Sequence, residues 1–167
     1  MKKIAVLFAA VVAAAVAQQS EAPKPKNNEF YRLDFALKEM DGSKVVKIHN
    51  YQIMVSANYQ GRNSIRSGAR VPVVDAKGTN YIDVGVDLDA SRLTPSKDGL
   101  ELDIVAEASG TLDAGSGAQL TKQPVIYQTR WNSRVEIPIG KATTVFSSDD
   151  PSSKHQLQLE VTATLLH

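Results

Sequence analysis

From Phe30 onward, large apolar residues recur at every second position, the spacing of half-buried β-strands, and no stretch carries the three-to-four-residue period of an amphipathic helix. In FYRLDFALK, Tyr31, Leu33, Phe35 and Leu37 alternate with Phe30, Arg32, Asp34 and Lys38, and Asp41-Gly42 supplies a hairpin turn whose glycine tolerates positive φ. The returning run KVVKIHNYQIMVSA shows Val46 and Ile48, then Tyr51, Ile53 and Val55. Its parity changes between Ile48 and Tyr51, which predicts a β-bulge around His49-Asn50. In SIRSGARVPVVDAKG, Pro72 has no ladder donor and marks an edge or irregular strand, and Asp75 to Gly78 turns the chain.

YIDVGVDLD places Ile82, Val84, Val86 and Leu88 on one face and Asp83, Gly85, Asp87 and Asp89 on the other. LELDIVAEA repeats the pattern with Leu100, Leu102, Ile104 and Ala106 inward, after turn residues from Pro95 to Gly99. Ser109 to Lys122 is glycine-rich and predicts a long loop. PVIYQTRWNSRVEIPIGK reads as one long strand or two sharing a bend. ATTVFS and HQLQLEVTATLL form a final pair, with Leu157, Leu159, Val161, Ala163 and Leu165 facing in. The expectation is an all-β fold, an antiparallel two-layer β-sandwich of about seven or eight strands.

The residues before this pattern change the picture of where the domain resides. Lys2 and Lys3 precede an apolar run from Ile4 to Ala17 ending in Ala15-Val16-Ala17, the layout of a bacterial secretory signal cleaved after Ala17. That run is shorter than the roughly 20 residues of a spanning helix. Residues 18–28, QQSEAPKPKNN, read as a flexible polar linker. The organisation expected is therefore a signal helix over 1–17, a linker over 18–28 and a single β-domain over 29–167, exported to the periplasm or the outer membrane.

The whole chain carries a net charge of +1, and the leader removes two lysines, leaving about −1. Nothing in that balance draws the domain to nucleic acid. The chain has no cysteine, so disulfides, thiol catalysis, a lipidated cysteine and cysteine-type zinc sites are all excluded.

Several phrases, taken in order, resemble the conserved C-terminal domain of bacterial secretins, the outer-membrane gates of type II and type III secretion and of type IV pili. IRSGARVPVV is similar to the secretin stretch in which a glycine is followed by a valine-proline pair. YIDVGVDLDASRLTPSKDGLELDIVAEAS is similar to the tyrosine, aspartate-valine-glycine and alternating-leucine stretch, its turn, and the strand ending in serine. QPVIYQTRWNSRVEIPIGKATTVFSS resembles the strand pair in which a dipeptide ending in glycine precedes a threonine-valine, and LQLEVTATLL stands in the place of the terminal strand.

The resemblance covers about Ser64 to Leu166 and implies the sandwich architecture, with a tendency to assemble in rings. Secretins continue from the threonine-valine strand into a Gly-Gly-Leu turn and a proline- and leucine-rich segment, then end on a threonine-proline. Here VFSSDDPSSKHQ replaces the first two with a short turn, and Thr162-Ala163 lacks the proline. The long modular region that precedes the secretin gate is not expected either.

Candidate chemistry is sparse. Ser148, Asp149 and His155, among Ser147, Asp150, Ser152 and Ser153, supply the residue types of a hydrolase's nucleophile, acid and base, but the same composition makes a tight turn whose side chains cap the backbone. Asp83, Asp87 and Asp89, with Glu101, Asp103 and Glu107 on the next strand, form an acidic comb; carboxylates spaced along strands do not converge as a hard cation requires. Arg62, Arg66 and Arg70 are a basic row that, against Asp83 and Asp87 of another subunit, would form an interaction surface. Trp131, the only tryptophan, shares the parity of Tyr127 and Thr129 and is expected in the core.

The sequence thus points to a non-catalytic exported structural or interaction module, with protein partners or self-association. It implies no cofactor, metal, nucleic acid or small-molecule substrate. Two other readings stay open: a membrane-embedded secretin-type pore component whose hairpins complete a barrel, and a hydrolase using Ser148, Asp149 and His155.

Overall fold

The computed structural model describes residues 29–75, 77–112 and 124–166. The expected signal and linker over 1–28, and much of the loop read over 109–122, lie outside these residues. Eight strands follow one another: β1 (Phe30–Asp41), β2 (Lys44–Ser56), β3 (Asn63–Asp75), β4 (Gly78–Pro95), β5 (Leu100–Leu112), β6 (Val125–Ile137), β7 (Thr143–Asp149) and β8 (Gln156–Leu166). They form two four-stranded antiparallel sheets, here sheet A in the order β2-β1-β8-β7 and sheet B in the order β3-β4-β5-β6. The all-β, two-layer sandwich expected from the alternation is the observed fold.

The period-two apolar series meet between the sheets. Tyr31, Leu33, Phe35 and Leu37 of β1 and Leu159, Val161 and Ala163 of β8 face Leu88 and Ala90 of β4 and Leu100, Leu102, Ile104 and Ala106 of β5. Burying each large side chain contributes about 1.5–3 kcal/mol, so this central slab dominates stability in a chain without disulfides. Tyr31 enters the slab with its hydroxyl donating to Glu29 Oε2 at 2.8 Å, and burial together with that carboxylate pushes its pKa up to about 12.

Three register shifts adjust the alternation. The expected bulge at His49-Asn50 is corrected: both residues pair in register with Leu37 and Ala36, and the extra residue is Val46, opposite the Glu39/Met40 step. Val46 and Ile48 look like a core series in the sequence, but they are exposed near the β1–β2 tip, so the parity change does not require a bulge where it falls. In β4 the shift lies between Ser91 and Thr94, where Arg92 takes φ 51°. This turn of the backbone returns Leu93 to the core, 2% exposed. In β7 the shift surrounds Val145.

Two further expectations are adjusted. Residues 109–112, read as loop, continue β5 and pair with β6 as far as Leu112↔Val125, because the small residues Ser109 and Gly110 sit comfortably opposite Gln128 and Tyr127. Val125–Ile137 is one strand. Pro72 lies on β3, an edge strand of sheet B, where a missing donor leaves no neighbour unpaired. Gly68 and Gly85 pair directly across β3 and β4, with Gly85 at φ 145°, and a Cβ on either would run into the other strand's backbone carbonyl.

Candidate functional site

The β7–β8 connection carries the serine, aspartate and histidine cluster, and its side chains are spent on the turn. Asp150 is buried and accepts from the Ser152 N–H at 2.9 Å, from Ser152 Oγ at 2.8 Å and from Ser153 Oγ at 2.8 Å. Its own N–H donates to the His155 carbonyl at 2.9 Å. Burial alone would raise the Asp150 carboxyl, but these donors and nearby His155 hold it below its ordinary value.

A hydrolase's relay is not assembled from the other members. Ser148 Oγ donates to the Asp149 carbonyl at 3.2 Å, and Asp149 accepts from Gln156. His155 sits in the turn just before β8, with Nδ1 on Glu39 Oε1 at 2.5 Å. Nucleophile, acid and base thus have three separate partners, whereas a triad needs them in one hydrogen-bonded line.

The outward face of sheet B gathers the charged candidates into stripes. On β3, Arg70 Nε pairs with Asp83 at 2.9 Å and Arg66 meets Asp87 at 3.4 Å and Asp89 at 3.0 Å, and just before the strand Arg62 reaches Asp89 at 3.3 Å. Asp89 is buried and also accepts from Ser64 Oγ at 2.7 Å. Burial pushes its carboxyl up, yet the Arg66 and Ser64 hydrogen bonds and the Arg66 and Arg62 charges outweigh that and leave it lowered.

The acidic comb continues onto β5, where Asp87 lies opposite Glu107. Basic residues bound it again: Arg130 on β6 faces Glu107 at 3.8 Å, Arg134 reaches Glu101 at 2.9 Å and Asp103 at 3.3 Å, and Arg92 also pairs with Asp103. The face therefore reads basic, acidic, acidic, basic across β3, β4, β5 and β6, apart from Glu136 at the end of β6, which lies opposite Glu101. Among the described residues no three acidic or histidine side chains converge as a cation site.

Sequence reasoning found the β3 row and the comb but passed over Arg92, Arg130 and Arg134. The signal for the last two was present: they hold the parity opposite Trp131, four residues apart, as Arg66 and Arg70 do.

Trp131 packs inward against the core, its ring centroid 3.9 Å from that of Phe146 on β7 at an interplanar angle of 51°. Its buried indole N–H has no hydrogen-bond partner among the described residues. Two residues along the same face, Ser133 is small and exposed, and an open cleft of about 290 Å³ lies there between β6 and β7, with Ile104, Phe146 and Leu159 among its lining.

No family model matches the chain, and no curated protein matches it. Solved structures do. A chain of the Klebsiella pneumoniae type II secretion system outer membrane complex of PulD, PulS and the PulC HR domain aligns with a TM-score of 0.53 and 12% identity, over 83% of this chain and 39% of that one. The type II secretin GspD from enteropathogenic Escherichia coli aligns with a TM-score of 0.53 and 11% identity, over 83% and 66%. The Salmonella SPI-1 type III secretion injectisome secretin InvG aligns with a TM-score of 0.50 and 10% identity, over 83% and 62%. The chain spans less than two thirds of each of these. At such identities the likeness is one of fold, and the two-sheet domain has the fold of a secretin domain.

Proposed function

We propose that this chain is a non-catalytic structural module of the cell envelope, exported by its N-terminal signal and acting through protein contacts. The observation that carries the reading is the secretin-domain fold, with four strand edges, at β2, β7, β3 and β6, left open among the described residues. An open edge presents unpaired backbone donors and acceptors to another chain. The dispersed partners of Ser148, Asp149 and His155 weigh against a hydrolase.

The outward faces favour a module over a lipid-facing barrel. Transmembrane strands turn an apolar series outward, whereas sheet B turns out its arginines and acids, and sheet A turns out Arg32, Asp34, Lys38 and Glu160. Arg62, Arg66 and Arg70 with Asp83 and Asp87 are one surface through which copies would meet, by exchanging their present partners between subunits.

Native mass measurement of the exported protein, released without detergent and after crosslinking, tests the reading. The expected result is a species heavier than one chain that contains a defined partner or further copies. A free monomer would overturn it, and so would ester or amide turnover that His155→Ala abolishes in a folded protein.

A further inference from the structure

We propose that the open edge of β6 is a docking site for an extended acidic segment of another protein, one in which carboxylates alternate with apolar side chains. This rests on the reading of the domain as an interaction module and adds the chemistry of its partner. Among the described residues, four features fall on this one strand. Its outer ladder is free, because β6 pairs only with β5. Its inward face opens beside Ser133 into the apolar cleft over Ile104, Phe146 and Leu159. Its outward face shows Arg130 and Arg134, whose side chains are 66% and 47% exposed, with Glu136 at the strand's end taken up by Ser96. Trp131, at the cleft, holds a buried N–H without an acceptor.

A strand added to an edge alternates its side chains between the two faces. Beside β6, one series enters the cleft and must be apolar, while the other meets the two arginines and must be acidic. Strand addition of this kind draws affinity from main-chain hydrogen bonds and specificity from the alternate pockets.

The alternation also says what the partner is not. In a second copy of this chain, the open edges of the same sheet are β3, whose outward residues include Arg66 and Arg70, and β6 itself, with Arg130 and Arg134. Pairing either strand with β6 would bring two arginine rows together, and arginines directly across a ladder are unfavourable. The other free edges, β2 and β7, offer Asn50, Gln52, Thr144 and Ser147 with a single outward carboxylate, Asp149, at the end of its strand. The chain's own polar stretch over 18–28 has one glutamate against two lysines.

The test is a titration of the full chain with a capped nine-residue peptide alternating Glu and Val, read by the emission of Trp131, the only tryptophan. A saturable change in emission is expected, with binding about tenfold tighter than that of an alternating Lys-Val peptide or of five Glu followed by four Val. In Arg130→Glu/Arg134→Glu the Lys-Val peptide should become the better ligand. If that variant does not fold, Arg130→Gln/Arg134→Gln should abolish the preference for Glu over Lys. No saturable change, equal binding of the three peptides, or a preference unmoved by the substitutions would overturn the proposal. Should the peptide fail while the heavy envelope species persists, the edge site falls and the module reading stands; a free monomer in the envelope removes both.

Discussion

Sheets A and B share one core and differ on the faces they turn away from it. Sheet A closes its charges within the sheet: Arg32 and Gln52 both serve Asp34, at 3.0 Å and 2.7 Å, and Lys38 serves Glu160 at 2.8 Å, so its edges on β2 and β7 are left mostly uncharged. Sheet B puts acids on its two central strands and arginines on both outer ones. The inward alternation decides how the layers stack, and it is interchangeable between the sheets. Outward charge decides which strand can join each edge, and there the two sheets part.

The contrast can be broken first at what the sheets share. Leu33→Ala in sheet A and Leu102→Ala in sheet B, both fully buried, should each lower stability by about 2–5 kcal/mol. In denaturant each should still give one transition by every probe, because a single slab holds both sheets. Two separate transitions would show that they fold apart. Gly85→Val should come next, on the order of 1–3 kcal/mol, since its positive φ and the facing Ser67 carbonyl exclude a side chain. Circular dichroism melts would register it, and a neutral result would mean that the β3–β4 crossing relaxes freely.

Asp89→Asn and Asp34→Asn then compare the two outer faces directly. Asp89 is buried among Arg62, Arg66 and Ser64, so its loss should reduce stability by about 1–3 kcal/mol. The half-exposed Asp34 should matter by less than about 1 kcal/mol. Acid tests two buried carboxyls, one beside each sheet. The folded Asp89 and Asp150 carboxyls lie below their unfolded values, so the stability they contribute is fully present above the unfolded value and is lost as pH falls through the folded one. Urea midpoints measured from pH 6 downward should therefore fall below about pH 4, and by less in Asp89→Asn. An equal decline in both proteins would deny Asp89 that part. Smallest of all, Arg130→Gln/Arg134→Gln should lower stability by no more than about 1 kcal/mol, since Arg92 still serves Asp103, separating binding at the β6 edge from folding.

Much of this was legible in the sequence, because period-two alternation and turn residues act locally. Leu100 to Ala106 and Leu157 to Leu165 were placed inward from spacing alone, and Pro72 identified an edge strand. Errors fell where tertiary context overrides parity. Val46 and Ile48 form an apolar series that faces solvent, which displaced the expected bulge, and the strand continuing through 109–112 depends on Gln128 and Tyr127, residues far along the chain. The serine-rich turn suggested catalysis by composition, while its geometry depends on Asp150 drawing the hydroxyls inward and on Glu39, more than a hundred residues away, holding His155. Pairing is not composition. The stripe order of sheet B, and the cleft beside Ser133, required knowing which strands are neighbours and which lie at the edge.

On this reading the open β6 edge of the domain, and not the outward face of sheet A, meets another protein. Photocrosslinking in the intact envelope, from a probe at Asn132 on the outward side of β6 and from one at Thr162 in the middle of sheet A, tests it most directly. Crosslinks from Asn132 to a different protein, with none from Thr162, are the predicted result. No capture from Asn132, or equal capture from both positions, would contradict it.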